Sequence, residues 1–156
     1  MAISTLVRVQ RAFACTADTI YDAWLEPSLA RRFLFATPPT GEVVRCDIEP
    51  GVGGKFLITD RRPLDDEPGQ SVDVEHVGRF LQLDRPRRIA FAFAVPAFGG
   101  SETTVVIDIE PQGDGCELTL RHDLGLADEE VVAMLEQAED GWTRMLERLE
   151  RALKGG

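Results

Sequence analysis

The stretch DEEVVAMLEQAEDGWTRMLERLERAL, residues 128–153, decides the fold. Val131, Leu135, Ala138, Trp142, Met145, Leu149 and Leu153 recur at steps of three and four, which is one face of an α-helix. The opposite face carries Glu136, Glu139, Asp140, Arg144, Glu147, Arg148 and Arg151, so the helix is half-buried and is neither a membrane span nor self-sufficient. It needs a sheet to lie on. Asp128 suits the N-cap, Glu129 and Glu130 sit where the positive end of the helix dipole favours acids, and Lys154 with Gly155 closes the other end. Gly141 costs roughly 1 kcal/mol relative to Ala in mid-helix, and beside Trp142 it lets backbone or ring approach whatever the helix covers.

Outward from that helix, composition narrows the classes. The chain of 156 residues is expected to form one domain, residues 1–156. Its 44% hydrophobic and 28% charged residues, with no apolar run of membrane-spanning length and no basic start followed by an apolar core, predict a cytoplasmic globular protein. Three widely spaced cysteines, Cys15, Cys46 and Cys116, fit reduced thiols, with Cys46 as an inert core thiol. A net charge of −10 repels phosphate backbones and anionic lipid, so neither nucleic acid nor a membrane surface is an expected partner, the short Arg31-Arg32 and Arg85 to Arg88 clusters notwithstanding. Two isolated histidines lack any metal-ligand spacing, and neither a metal nor a cofactor is expected.

Taken in order, Ile3 to Phe13 alternates and reads as a strand burying Thr5, Val7, Val9 and Phe13, with Arg11 breaking the buried side. Thr16 caps a short helix through Ile20, Tyr21 and Trp24, and Pro27 starts a second running to about Phe33. Pro38-Pro39-Thr40-Gly41 turns the chain into a strand through Val44, Cys46 and Ile48, and glycines 51, 53 and 54 carry a hairpin into Phe56, Ile58 and Asp60. Arg61 to Gln70, polar with two prolines, reads as a loop. Four more strands follow: Val72 to Phe80, Ile89 to Val95, Thr103 to Ile109, and Leu118 to His122 after the Gln112-Gly113-Asp114-Gly115 turn. Hairpin-linked strands with helices gathered on one side make an α+β fold, a curved antiparallel sheet of about seven strands around the C-terminal helix, with two short helices after strand one.

The segments Arg11-Ala12-Phe13, Ile20-Tyr21-Asp22-Ala23-Trp24, Glu26-Pro27, Gly53-Gly54-Lys55-Phe56, Gly78, Leu118-Thr119-Leu120-Arg121-His122 and Gly141-Trp142 occur in this order and spacing. Together they resemble the START-related helix-grip superfamily, which includes polyketide cyclases and birch-allergen-like proteins. Within it the chain is similar to the branch named for the activator of heat-shock-protein ATPase, whose members are mostly small bacterial proteins. Phe33 and Leu34 stand where that branch often has a tryptophan pair, and Thr16 where it often has proline. The resemblance implies an apolar cavity between sheet and C-terminal helix, and no single activity.

Strand parity and the helix stripe select the candidate pocket: Trp24, Phe56, Ile58, Val74, His76, Phe80, Phe91, Phe93, Val105, Ile107, Leu120, His122, Leu135, Ala138, Trp142 and Met145. Arg11, Asp60, His76 and His122 fall at inward parity as polar candidates, where an ionisable group is expensive unless paired. No serine or cysteine stands at a nucleophile motif, so no catalytic residue is assigned. The first expectation is therefore a protein that binds a small hydrophobic molecule. Its alternatives are a polyketide cyclase or aromatase-like enzyme using His76 or His122 as acid or base, and a co-chaperone that binds a heat-shock ATPase. The chain starts directly on strand one, without the extra N-terminal domain of the eukaryotic activators, which weakens the last. Val43, Ala90, Ala92, Ala94, Thr104 and Val106 make the outer sheet face poor in charge and predict a homodimer.

Overall fold

A computed structural model describes residues 6–35, 42–64, 68–96, 102–124 and 131–154, with side chains from 135 onward in the last segment. Seven strands form one antiparallel sheet: β1 (Leu6–Phe13), β2 (Glu42–Ile48), β3 (Lys55–Pro63), β4 (Ser71–Asp84), β5 (Arg88–Ala94), β6 (Thr103–Gln112) and β7 (Gly115–Asp123). Their order across the sheet is β1-β7-β6-β5-β4-β3-β2. Every neighbouring pair but β1 and β7 is consecutive in the chain, as hairpin turns require. Helices α1 (Ala17–Leu25) and α2 (Pro27–Ala30) follow β1, and α3 (Val131–Lys154) ends the chain, giving the helix-grip architecture. No helix among the described residues is long and apolar enough to cross a membrane.

Local chemistry accounts for the element ends. The Thr16 hydroxyl accepts a hydrogen bond from the Thr19 amide at 3.3 Å, which caps α1, and Pro27 occupies the first turn of α2. Gly113 takes φ +57° in the two-residue β6–β7 turn, a region closed to most side chains. At Gly78 an added Cβ would run into the Phe56 ring and the Ala92 carbonyl, so the missing side chain is what lets β3, β4 and β5 close up there.

Several expectations are corrected. α2 ends at Ala30 and the chain continues through turns to Phe35, because Phe33, Leu34 and Phe35 are each drawn into the core. β3 extends to Pro63, since Arg61 pairs with Asp73 across β4 and edge-like positions tolerate proline. Gly141 faces open space, so it mediates no close approach. On β2 a register shift between Val43 and Arg45 inserts Val44 as a bulge, which turns Val43 inward opposite Asp60. Val43 is thus removed from the outer face. There, Ala90, Ala92, Ala94, Thr104 and Val106 remain as a strip, bordered by Arg88 and Arg121 sharing Asp108 at 2.6 Å each and by Arg79 on Glu102 at 2.8 Å. Thr5 and Asp128 lie outside the described residues, as do the side chains of residues 131–134.

The core lies between the inner sheet face and the helices. Ile107, Ile109, Leu118 and Leu120 meet Leu146 and Leu149 of α3, all fully buried. Leu146 belongs to the stripe as well. Its position, one residue after Met145, widens the apolar face beyond a single row.

Candidate functional site

The two halves of this interior are built differently, and the difference locates the site. Under the N-terminal half of α3, Trp142 donates its indole Nε1–H to His122 Nδ1 at 3.0 Å. With Nδ1 accepting, the neutral ring carries its proton on Nε2, which donates to the Thr103 hydroxyl at 2.9 Å. Burial lowers the His122 pKa from 6.5 to about 4, so this neutral tautomer holds at pH 7. His122 is a buried polar residue whose two ring nitrogens are both satisfied.

Beneath α1 and the segment after α2, the interior is left incomplete. Trp24, Leu34, Phe35, Ile48, Phe56, Ile58, Phe80, Ile89 and Phe91 enclose an apolar void of about 20 Å³, room for roughly one water. Trp24 is one of these lining residues, and its buried indole Nε1 has no hydrogen-bond partner among the described residues. Its ring sits edge-on to Phe33 at 5.1 Å, which anchors α1 to the segment after α2.

Phe35 dominates this region. Its backbone takes φ +58°, the left-handed region that a bulky residue occupies only when its surroundings over-determine it. Those surroundings are aromatic: the ring stacks on His76 at 4.4 Å and lies 5.4 Å from Phe93, 5.9 Å from Trp142 and 6.4 Å from Phe56. Its amide donates to the Met145 thioether of α3 at 3.5 Å. Phe35 therefore fills space between the sheet and α3, at the edge of the void that Trp24 of α1 also lines.

His76 flanks that ring from β4. It is 5% exposed, and its Nδ1 meets no partner of hydrogen-bond geometry among the described residues. Burial first, then the charge of Arg62, pushes its pKa down to about 4. The backbone of Ile58 and of Val74 opposes that shift by hydrogen bonding to the ring, but not enough to keep the imidazole charged at pH 7.

Five of the sequence-selected pocket residues line the void: Trp24, Phe56, Ile58, Phe80 and Phe91. His76, Phe93 and Trp142 reach it through Phe35. Val105, Ile107, Leu120 and His122 lie on the close-packed side, with Leu135, Ala138 and Met145 partly buried on α3, and Val74 is buried on β4. Among the described residues no α3 side chain lines the void. The polar candidates do not share one cavity either. Arg11 is bound by Glu150 of α3 at 2.6 Å, and Asp60 by Arg62 at 2.6 Å. Leu34, Phe35, Ile48 and Ile89 were outside the sequence-selected set. The apolar run Phe33-Leu34-Phe35, too hydrophobic for a surface connection, is the signal that points to two of them. Cys46 is partly buried, and desolvation raises its pKa, which keeps the thiol protonated and unreactive. Among the described residues no three His, Cys, Asp or Glu side chains converge as a metal site would need.

Known proteins agree with this architecture. Residues 14–154 match the family model described as activator of Hsp90 ATPase homolog 1-like protein. Among solved structures the chain is similar to a protein from Rhodobacter sphaeroides, at 22% identity over 99% of this chain and 96% of that one, with a TM-score of 0.80. It is also similar to CalU16 from Micromonospora echinospora, at 18% identity, coverage of 97% and 80%, and a TM-score of 0.66. A third similarity is to DynU16, a protein in the dynemicin biosynthetic locus, at 16% identity over 97% of this chain and 48% of that one, TM-score 0.67. At such identities these likenesses establish the fold alone. No curated protein matches the chain.

Proposed function

This chain belongs to the family of activator of Hsp90 ATPase homolog 1-like proteins, and from that premise we propose that it binds a small hydrophobic molecule in the interior beneath α1 and Phe35. The observation that carries this reading is that Trp24, a residue lining an apolar void, keeps its buried Nε1–H without a partner among the described residues. A buried N–H without an acceptor costs about 1 to 3 kcal/mol. A ligand oxygen would remove that cost, as small-molecule sites pair a mostly apolar wall with a few placed polar groups.

The resting void is too small for such a molecule. Entry requires displacement of Phe35, the residue whose backbone conformation is least favourable. Release of that strain offsets part of the lost stacking.

Native mass spectrometry of the purified protein, followed by thermal melts against a panel of apolar molecules, tests the reading. A co-purified small molecule, or a ligand that raises the melting temperature by mass action, is the expected result. A bare mass together with melts unmoved across the panel contradicts it.

A second reading, acid/base catalysis of a cyclisation or dehydration, has its own supporting observation in the neutral, unpartnered His76 Nδ1 beside Phe35. Chemical change of a bound molecule on incubation, lost in His76→Phe, would favour it over binding alone.

A further inference from the structure

The arginines of this chain divide by partner. Arg11, Arg45, Arg61, Arg62, Arg79 and Arg85 hold acids in ion pairs, as do those on Asp108 and Asp140. Arg8, Arg31, Arg32, Arg87, Arg148 and Arg151 form no ion pair among the described residues, and of these Arg32, Arg148 and Arg151 line, with Ala152, one open pocket of about 230 Å³. No carboxylate is among its described lining residues. Asp60 acts on Arg148 through space, but it is fully buried and bound by Arg62.

In a chain with 27 acidic residues against 17 basic ones, three arginines sharing a pocket with no acid among its described lining residues repel one another. Arg148 is half-buried, and desolvation together with the charge of Arg151 lowers its pKa, as a cation waiting for a counter-charge should behave. The position of the pocket adds to this. Arg32 precedes Phe35 by three residues. Arg148 follows Met145 by three on α3, about 5 to 6 Å along the same helix surface, and Met145 is the residue that accepts the Phe35 amide. Arg32 and Arg148 thus each stand three residues from one of the two groups joined by the Phe35–Met145 contact.

We propose that Arg32, Arg148 and Arg151 form the headgroup site of a small hydrophobic carboxylic acid, whose apolar body enters the interior in place of the Phe35 ring. This rests on the ligand-binding reading above and adds the charge of the ligand. Guanidinium groups match a carboxylate bidentately, and a single-headed small acid avoids the repulsion that the net charge of −10 sets against polyanions.

Isothermal titration calorimetry of the full chain with decanoate and 2-naphthoate, each against its neutral counterpart decanol or 2-naphthol, tests the assignment. At low salt at least one carboxylate is expected to bind about tenfold or more tighter than its alcohol, the scale of a charged hydrogen bond, and to lose that advantage at high salt. Arg148→Gln and Arg151→Gln should each weaken carboxylate binding about tenfold while leaving the alcohols unchanged, and should melt at or above the wild-type temperature because repulsion is removed. Arg87→Gln, at an arginine on the outer sheet face, should change nothing. If Arg148→Gln does not fold, the exposed Arg32→Gln and Arg151→Gln carry the comparison. Carboxylates that bind no better than alcohols, that are equally weakened by Arg87→Gln, or that do not bind at all overturn the assignment. Alcohols that bind with no gain from the carboxylate leave the hydrophobic-ligand reading standing and remove only this one.

Discussion

His76 and His122 occupy equivalent inward positions on β4 and β7, are equally buried, and are both held neutral by desolvation, yet they stand in opposite states of completion. His122 bonds Trp142 and Thr103 through its two nitrogens, within a region where Ile107, Leu118, Leu120, Leu146 and Leu149 leave no exposed surface. His76 keeps an unpartnered Nδ1 and faces Phe35, next to the void and the unpartnered Trp24 Nε1. A core built for stability alone satisfies its polar groups or omits them. The lesson of the contrast is that the α3 side of the interior holds the fold, while the side under α1 and Phe35 carries the defects that the proposed ligand would relieve.

The largest effect expected from breaking this contrast lies on the close-packed side. Leu146→Ala should cost about 3 to 5 kcal/mol, because the surrounding side chains cannot collapse into the space. In a thermal melt that is a loss of roughly 10 °C at this chain length. A loss below a third of that would mean the α3 side is not tightly packed.

Acid comes next. The folded pKa of each histidine is about 4 against 6.5 when unfolded, so the unfolded state binds more protons between those values. Stability is therefore fully present above pH 6.5 and falls as pH drops toward 4, by about 3 kcal/mol per histidine at most. Urea titrations across that window should show the decline, and His76→Phe should remove about half of it. A variant with the same pH dependence as wild type would show that His76 is not held neutral.

Substituting the two rings separates them more finely. His122→Phe strands the Trp142 N–H and should cost about 1 to 3 kcal/mol. His76→Phe keeps the stack on Phe35 and deletes an unpartnered nitrogen, so at pH 7 it should be neutral or stabilising by up to about 1 kcal/mol. Equal losses in denaturant titrations would erase the distinction between the two sides.

The fold was legible because its signals are periodic. Alternation placed Val7, Val9, Ile107, Leu118 and Leu120 on the buried face, and the three-and-four stripe placed Trp142 and Leu149 on α3. What was not legible breaks period. The bulge at Val44 reversed the parity of Val43, and another shift between Phe80 and Gln82 lets Leu83 return inward opposite Ile89. The site was half legible for the same reason. Trp24, Phe56, Ile58, Phe80 and Phe91 follow from parity, whereas Phe35 lies on a turn and owes its role to a left-handed backbone that no pattern announces. Arg148 and Arg151 read as a solvated helix face, and only the approach of Arg32 after α2 gives them a common pocket.

The central claim, that the ligand site is the incomplete side and not the packed one, is tested most directly by the two tryptophans, each of which marks one side. In a ¹H–¹⁵N spectrum the Trp142 indole N–H should resonate as a hydrogen-bonded group and the Trp24 indole N–H as a free one. On titration with any ligand that raises the melting temperature, the Trp24 resonance is expected to move toward the bonded position while the Trp142 resonance keeps its hydrogen-bonded shift. A Trp142 resonance that loses its bonded shift while Trp24 stays unchanged would place the ligand under α3 and contradict the account.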